Sequence, residues 1–462
     1  MSTDKALSVM IISAYFPPAN LPGVHRVLRF VRHLREDGWG VSVVTMDPGF
    51  FDAGVVRDDT LLARIADGVE VRRTKAFRGL ERIIGVRDRM RGWRKPAAPE
   101  SPSVGTAPAV APRSRLRRLI AWVIDIAQFP DPDVGWSCYA TRCGQAMLRD
   151  RPVDVILSTA PPHTSHVVAA GLARRFNLPW VADFRDPMAR LPYYWNRKDK
   201  RLKKALWEWL ERRIVFRADA VVLNTNRMLR EFQAAYGERV SPKLHCVTNG
   251  FDSDLFRRYD GIQPPAGECL TVTHAGSLYG ARDPTGLLTA LSRAMSRGRI
   301  PGDGIRLKLI GSNTAEADLA AKVRELRLES VVQLQAPLPH GECLSVMAAS
   351  HVLLVIQPEA TVQVPAKMYE YMALRRPILA LAPEGAVGDL IEAGDIGMRV
   401  PPTDVQAIED ALCNFYDNRH ALSARYYRRA GYREGFEGQA LTRQLEAVLA
   451  GAVQERGRRF AA

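Results

Sequence analysis

Cysteine is scarce in this chain: six in 462 residues, none of them spaced as CxxC. That excludes a disulfide framework and a thiolate zinc site, and fits a reducing cytoplasmic compartment. Long apolar runs are missing as well. The best, Leu119–Ala127, is interrupted by Asp125 and falls short of the ~18 residues a spanning helix needs. The opening MSTDKALSVMIIS places an acid before its apolar stretch and has no basic leader, so no secretory signal is expected. No G-x-G-x-x-G or Walker spacing follows the first strand-like run, which argues against a nicotinamide oxidoreductase. Acids are in deficit, 50 Asp+Glu against 65 Lys+Arg, for a net charge of +15.

What is present is ample for folding. With 47% hydrophobic and 25% charged residues the chain can bury a full core, so disorder throughout is excluded. At about 150 residues per domain the length suggests two or three domains. The positive charge is confined to two windows. Residues 71–118 hold 14 Lys/Arg and three acids, and residues 197–217 hold nine and three, leaving the rest slightly acidic. A nucleic-acid binder would be basic more evenly, so no nucleic-acid partner is expected. In the first window Arg87, Arg89, Arg91, Arg94 and Lys95 surround Met90 and Trp93. In the second, Leu202, Leu206, Trp209, Leu210 and Ile214 recur at helical spacing among Lys and Arg. Solvated helix faces account for most charge runs. Basic residues beside Trp also suit the surface of an anionic membrane, which points to a peripheral position on the inner face of the cell membrane.

Strand and helix patterns alternate along the chain, the mark of parallel sheets covered by helices on both faces. Strands are expected at Ser8–Ser13, Val41–Thr45, Val153–Ser158, Trp180–Asp183, Ala220–Leu223 and Leu244–Thr248. A second series comprises the runs starting at Leu270 and Ile305, then Val331–Gln335, Val352–Gln357 and Pro377–Ala382. Residues 1–252 thus read as one Rossmann-like domain and 269–418 as another, with 253–268 as linker and 419–462 as C-terminal helices, the last packing back toward the first domain. Residues 96–112 carry five prolines without periodicity and read as a disordered insertion. This fold class, α/β with two doubly wound domains facing each other across a cleft, binds ligands at the carboxyl ends of its strands.

Five loops there carry chemistry-bearing residues. Tyr15–Arg26 (YFPPANLPGVHR) opens a helix and contains Gly23, which permits close approach of an anion. Ser158–His166 (STAPPHTSH) holds His163 and His166, and Asp183–Pro187 (DFRDP) gathers Asp183, Arg185 and Asp186. An Asp–Arg brace of the loop would explain the last cluster equally well. Gly276–Pro284 (GSLYGARDP) offers Gly276 and Arg282, the latter a candidate phosphate clamp. Val364–Pro377 (VPAKMYEYMALRRP) places Lys367 and Glu370 in the first turns of a helix, suited to phosphate oxygens and to vicinal ribose hydroxyls. Ordinary helix-start chemistry is the plainer account of that glutamate.

Taken in order and spacing, these loops together with FPDPDVGW, RADAVVLNT and VTNGFD resemble the GT-B-fold retaining glycosyltransferases of family 4. The resemblance implies a nucleotide diphosphate sugar donor on the second domain and a lipid-linked or polysaccharide-precursor acceptor on the first. It also implies no required metal or other cofactor, and retention of anomeric configuration. Residue by residue, it places Gly23, Gly276, Ser277, Arg282, Lys367 and Glu370 at the donor. It places His166, Asp183, Arg185 and Asp186 at the acceptor, and gives His163, Arg282 and Lys367 catalytic roles. Val362 stands where the family's E-x7-E motif has its first glutamate, and Gln363, Val364 and Pro365 replace the usual Gly-rich turn. Glu359 is the candidate substitute. A nucleotide-sugar epimerase of the same fold, and a catalytically silent scaffold, remain the alternatives.

Overall fold

A computed structural model describes residues 6–77, 126–189, 201–278, 282–312, 316–359 and 361–461. The Pro-rich stretch 96–112 and the basic stretch from 78 to 118 lie outside them. The chain divides into two compact units. The first runs as far as Thr248 and takes the chain back at Gly438; the second spans Asn249–Glu437.

The first unit is built on seven strands: β1 (Ser8–Ile12), β2 (Gly40–Met46), β3 (Glu70–Thr74), β4 (Val155–Ala160), β5 (Trp180–Phe184), β6 (Ala220–Leu223) and β7 (Leu244–Cys246). All pair in parallel, in the order β3-β2-β1-β4-β5-β6-β7. The second carries β8 (Leu270–Ala275), β9 (Ile305–Ile310), β10 (Val332–Gln335), β11 (Val352–Ile356), β12 (Ile378–Leu381) and β13 (Gly397–Val400), in the parallel order β10-β9-β8-β11-β12-β13. Central strands are buried along their whole length, as in VILSTA of β4 and VLLVI of β11. Helices on both faces exclude water, so these strands read as continuous apolar runs rather than alternating ones.

Between the strands of the first unit run α1 (Pro22–Glu36), α2 (Ser137–Asp150), α3 (Thr164–Phe176), α4 (Arg201–Arg217) and α5 (Asn226–Tyr236). The second unit adds α6 (Ser253–Phe256), α7 (Thr285–Ser296), α8 (Glu316–Glu325), α9 (His340–Ala348), α10 (Lys367–Ala373), α11 (Ala386–Gly394), α12 (Val405–Asp417) and α13 (Leu422–Arg425). Pro22 starts α1, where its missing N–H costs nothing, and Gly38 at φ +88° lets the chain turn away. One face of α1, with Val24, Val27, Leu28, Val31 and Leu34, is buried. The last helix, α14 (Gly438–Ala461), belongs to the first unit. Its Leu441, Leu445, Val448 and Leu449 join Val27, Leu28, Val31 and the strand residues Val9, Ile11 and Val41 in one apolar cluster. None of the helices among the described residues is long and apolar enough to cross a membrane.

Segment 253–268, read from the sequence as a linker, starts with α6 and a single 3-10 turn, and its Phe256 and Tyr259 are buried with Phe251 in the second unit's core. Its two aromatics, packed with Phe251, anchor an otherwise loop-like sequence. β3 and β13 carry no expected strand. The first is an edge strand, EVRRT, none of it fully buried, and the second opens on Gly397 in a backbone conformation open mainly to glycine.

Candidate functional site

Strand order reverses between β1 and β4 in the first sheet and between β8 and β11 in the second. At such a switch point the two neighbouring loops leave in opposite directions and open a crevice at the carboxyl ends of the strands. The residues singled out from the sequence lie on the loops and strand ends around these two points.

In the first unit Asp183 ends up deep in the fold. Its carboxylate, 2% exposed, accepts hydrogen bonds from Arg26 Nε (3.1 Å), Arg26 Nη2 (2.8 Å) and Thr159 Oγ1 (2.8 Å). Arg26 continues to the carbonyls of Val247 (2.8 Å) and Thr248 (2.6 Å). One ion pair therefore ties α1, β4, β5 and the chain after β7 together. Arg26, the last residue of the loop that carries Gly23, is occupied in that brace.

His163 and His166 flank the start of α3 and are both buried. His166 Nδ1 lies 2.8 Å from Ser158 Oγ, which also accepts from Trp180 Nε1 (2.8 Å), and its ring packs on Phe184. His163 meets the ring of Trp207 edge-on at 5.6 Å. Burial, reinforced by Arg185, pushes the His163 pKa down to about 3, and His166 is held well below its ordinary value by burial, His163 and Arg185. Both imidazoles are neutral at physiological pH. The N-terminus of α3 is capped internally: Asp131 accepts from the Thr164 N–H (2.8 Å) and hydroxyl (2.7 Å). Arg185, half-buried, has Nε on the Ala160 carbonyl (3.2 Å) and Nη2 on that of Pro161. Asp186 is half-buried next to it.

In the second unit the loop after β8 and the start of α10 converge. Lys367 Nζ reaches the Ala275 carbonyl (3.3 Å), and a Cβ on Gly276 would stand 3.1 Å from it. Gly276, at φ +138°, turns the chain under Gly311, where any Cβ would strike the Gly276 carbonyl. Two glycines let the ends of β8 and β9 approach. Ser277 and Ser312 share a hydroxyl–hydroxyl hydrogen bond of 2.7 Å. Arg282 Nη2 donates to Gln357 Oε1 (3.2 Å) on the loop after β11. Burial lowers the Lys367 pKa to about 7; Arg282 lowers it further and Glu370 opposes. Glu370, one helical turn along, meets His340 Nε2 at 3.2 Å. Two cations beside open backbone can neutralise a diphosphate, and a half-exposed carboxylate nearby can accept from hydroxyls.

His274 is the residue the sequence reading passed over. It is fully buried at the end of β8, with Nδ1 donating to the Leu354 carbonyl (3.0 Å) and Nε2 unpartnered, 3.9 Å from the Cβ position of Gly276. A histidine in the penultimate position of the strand run LTVTHA is the available signal. Val362 is buried at 5% exposure, whereas Glu359 is exposed.

Two doubly wound parallel units of this kind define the GT-B fold class. Residues 23–250 match the profile of the glycosyl transferase 4-like domain and residues 270–418 that of the glycosyl transferases group 1 domain, so the chain belongs to the glycosyltransferase family built from this pair. It is 27% identical over 154 residues to a putative colanic acid biosynthesis glycosyltransferase, WcaL, of Salmonella typhimurium, covering 32% of this chain and 38% of that protein. It is 26% identical over 259 residues to D-inositol 3-phosphate glycosyltransferase of Corynebacterium aurimucosum, covering 53% and 59%. Both alignments thus span less than two thirds of those relatives. Among solved structures, Anabaena Alr3699/HepE in complex with UDP has a TM-score of 0.59 at 16% identity, covering 97% of this chain and all of that one. Sucrose-phosphate synthase of Thermosynechococcus elongatus reaches 0.54 at 17% identity, covering 98% of each. At such identities the likeness concerns the fold.

Proposed function

We propose that this protein transfers a sugar, with retention of configuration, from a nucleotide diphosphate sugar to a lipid-linked or polysaccharide-precursor acceptor, working peripherally at the inner face of the cell membrane. The observation that carries the reading is the convergence of Lys367 and Arg282 on the glycine-lined end of β8, with Glu370 one turn away. Negative charge grows on the departing diphosphate in the transition state. Preorganised cations placed for that charge lower the barrier more than they tighten ground-state binding. Glu370 holds the ribose, and Gly276 and Ser277 line the approach of the phosphates. Neutral His163 supplies a hydrogen bond toward the reacting sugar rather than a charge. This chemistry needs orientation and leaving-group stabilisation, not the paired carboxylates of a glycosidase, and no metal or other cofactor has a part in it. α4 supplies the membrane contact, with Trp209 half-exposed and Arg213 over its ring at 5.3 Å.

A panel of UDP-, GDP- and ADP-sugars, followed by thermal shift and donor hydrolysis, tests the proposal. Stabilisation by one nucleotide class, with release of its nucleoside diphosphate, is expected. Indifference to every nucleotide sugar would overturn it.

A further inference from the structure

His274 is fully buried near the end of β8, and nothing in the transfer reaction proposed above uses it. Its Nδ1 lies 3.0 Å from the Leu354 carbonyl, which can only accept, so Nδ1 carries the ring proton. Burial, helped by the charges of Lys367 and Arg282, holds the imidazole neutral. Nε2 is then a bare acceptor, buried and without a hydrogen-bond partner. The nearby Gly276 carbonyl is an acceptor too and cannot satisfy it. Leaving such an atom unpaired costs free energy, so its surroundings call for a donor.

The donor at hand is Lys367. On the side-chain face of Gly276, the point a Cβ would occupy is 3.1 Å from Lys367 Nζ and 3.9 Å from His274 Nε2. Outside the adjoining residues, no other atom of the described residues comes within 4 Å of that point. Glycine, here at φ +138°, leaves the face open. An ammonium has three N–H donors, and Lys367 directs one to the Ala275 carbonyl (3.3 Å). Tyr371, one turn along α10, accepts from the Ala275 N–H and donates to the Leu354 carbonyl (3.4 Å each). The Leu354 carbonyl thus holds both His274 and Tyr371 in place.

We propose that His274 is a positioning residue for Lys367: its Nε2 takes a second N–H of the ammonium across the bare face of Gly276, which keeps the lysine charged and aimed at the donor's diphosphate. The inference rests on the donor role given to Lys367 above. The charged and titratable groups facing that ammonium are Arg282 on the loop after β8, which disfavours its charge, and Glu370 on its own helix, which favours it. Cys343 on α9 is a thiol that burial keeps protonated, and burial likewise keeps the Tyr371 hydroxyl protonated. His274 is neutral, so replacing it alters the lysine without altering the charge of the site.

The test reads Lys367 directly, in ligand-free protein carrying 13C at lysine Cε, with its signal assigned by its loss in Lys367→Arg. His274→Asn keeps a donor for the Leu354 carbonyl and deletes the Nε2 acceptor. It should lower the titration midpoint of Lys367 by about one unit, the effect of one charge-assisted hydrogen bond. His274→Gln, which sets an amide oxygen near the Nε2 position, should lower it less. His274→Phe replaces the asparagine variant if that does not fold. Donor affinity is then measured with whichever of the UDP-, GDP- and ADP-sugars stabilises the wild type. His274→Asn should weaken it about tenfold at about pH 8 and little at about pH 6. In a Lys367→Arg background the same substitution should have no pH-dependent effect. An unmoved Lys367 midpoint, with affinity either unchanged or reduced equally at every pH, overturns the proposal. A lowered midpoint that donor affinity does not follow removes the donor role of Lys367 and leaves its pairing with His274 standing.

Discussion

Arg26 and Asp183 hold each other by two hydrogen bonds, of 2.8 and 3.1 Å, with 1% and 2% of their side chains exposed. A pair so desolvated is stabilising only as long as both partners remain. Removing one leaves a buried charge, which costs about 3–5 kcal/mol. Asp183→Ala should therefore lower stability in urea unfolding by that amount, and Arg26→Met similarly, while the double variant Arg26→Met/Asp183→Leu should recover part of the loss. Were Asp183 chiefly an acceptor ligand, Asp183→Ala would unfold like the wild type and show only a raised acceptor KM.

If Lys367 meets the donor diphosphate as proposed, its lowered pKa of about 7 gives donor binding a pH dependence of definite sign. Below that pH the ammonium is present before substrate arrives. Above it the free site holds a neutral amine, and binding a diphosphate must draw in a proton. Affinity for an intact nucleotide sugar, whose diphosphate diester does not titrate in this range, should fall as pH rises through about 7, by up to about tenfold per unit. Lys367→Arg should abolish the dependence and keep the affinity, because its charge is fixed. Isothermal titration between pH 6 and 8.5 decides the matter, and a flat wild-type profile would refute it.

Glu370 is half-exposed and meets the imidazole of His340 at 3.2 Å. If it holds the ribose, Glu370→Ala loses hydrogen bonds to a charged acceptor worth about 1.5–3 kcal/mol, so donor KM should rise about ten- to hundredfold. A donor lacking the ribose hydroxyls should bind the wild type correspondingly less well and Glu370→Ala no worse than the full donor does. Two independent losses that add would exclude the contact.

How much of this could be read from the sequence depends on distance along the chain. β4 and β11 announce themselves because strands buried on both faces are continuously apolar, and the flanking loops can then be placed at their ends. The positions of the loops carrying Gly276, Arg282, Lys367 and Glu370 are legible in that way, because each follows a recognisable strand. Pairings across the sheet are not. Nothing in DFRDP says that Asp183 is taken by Arg26, since loops far apart in sequence meet only once strand order is known. β3 was hidden because an edge strand keeps polar residues, and 253–268 because Phe256 and Tyr259 sit among turn residues.

α4 departs from its sequence pattern in a way that bears on the membrane. Leu210 and Ile214 are buried as the periodicity expects, but Trp209 is turned outward at 52% exposure, alongside exposed Arg212 and Arg213. Glu211, the acid within this basic helix, is fully buried and accepts from the N–H groups of Met188 and Ala189 (3.0 Å each) and from the Tyr236 hydroxyl (2.6 Å). The helix is thus pinned to the loop after β5 on one side and offers an aromatic with cations on the other. Each basic residue near an anionic surface contributes about 1 kcal/mol at low salt. Arg212→Glu/Arg213→Glu should therefore lower sedimentation with phosphatidylserine vesicles at least about tenfold, and Trp209→Ser should lower it independently of salt. Both variants leave Glu211 and the buried face intact, so unfolding curves should match the wild type. Wild-type protein that stays in the supernatant with such vesicles at low salt would end the membrane reading while leaving the donor site untouched.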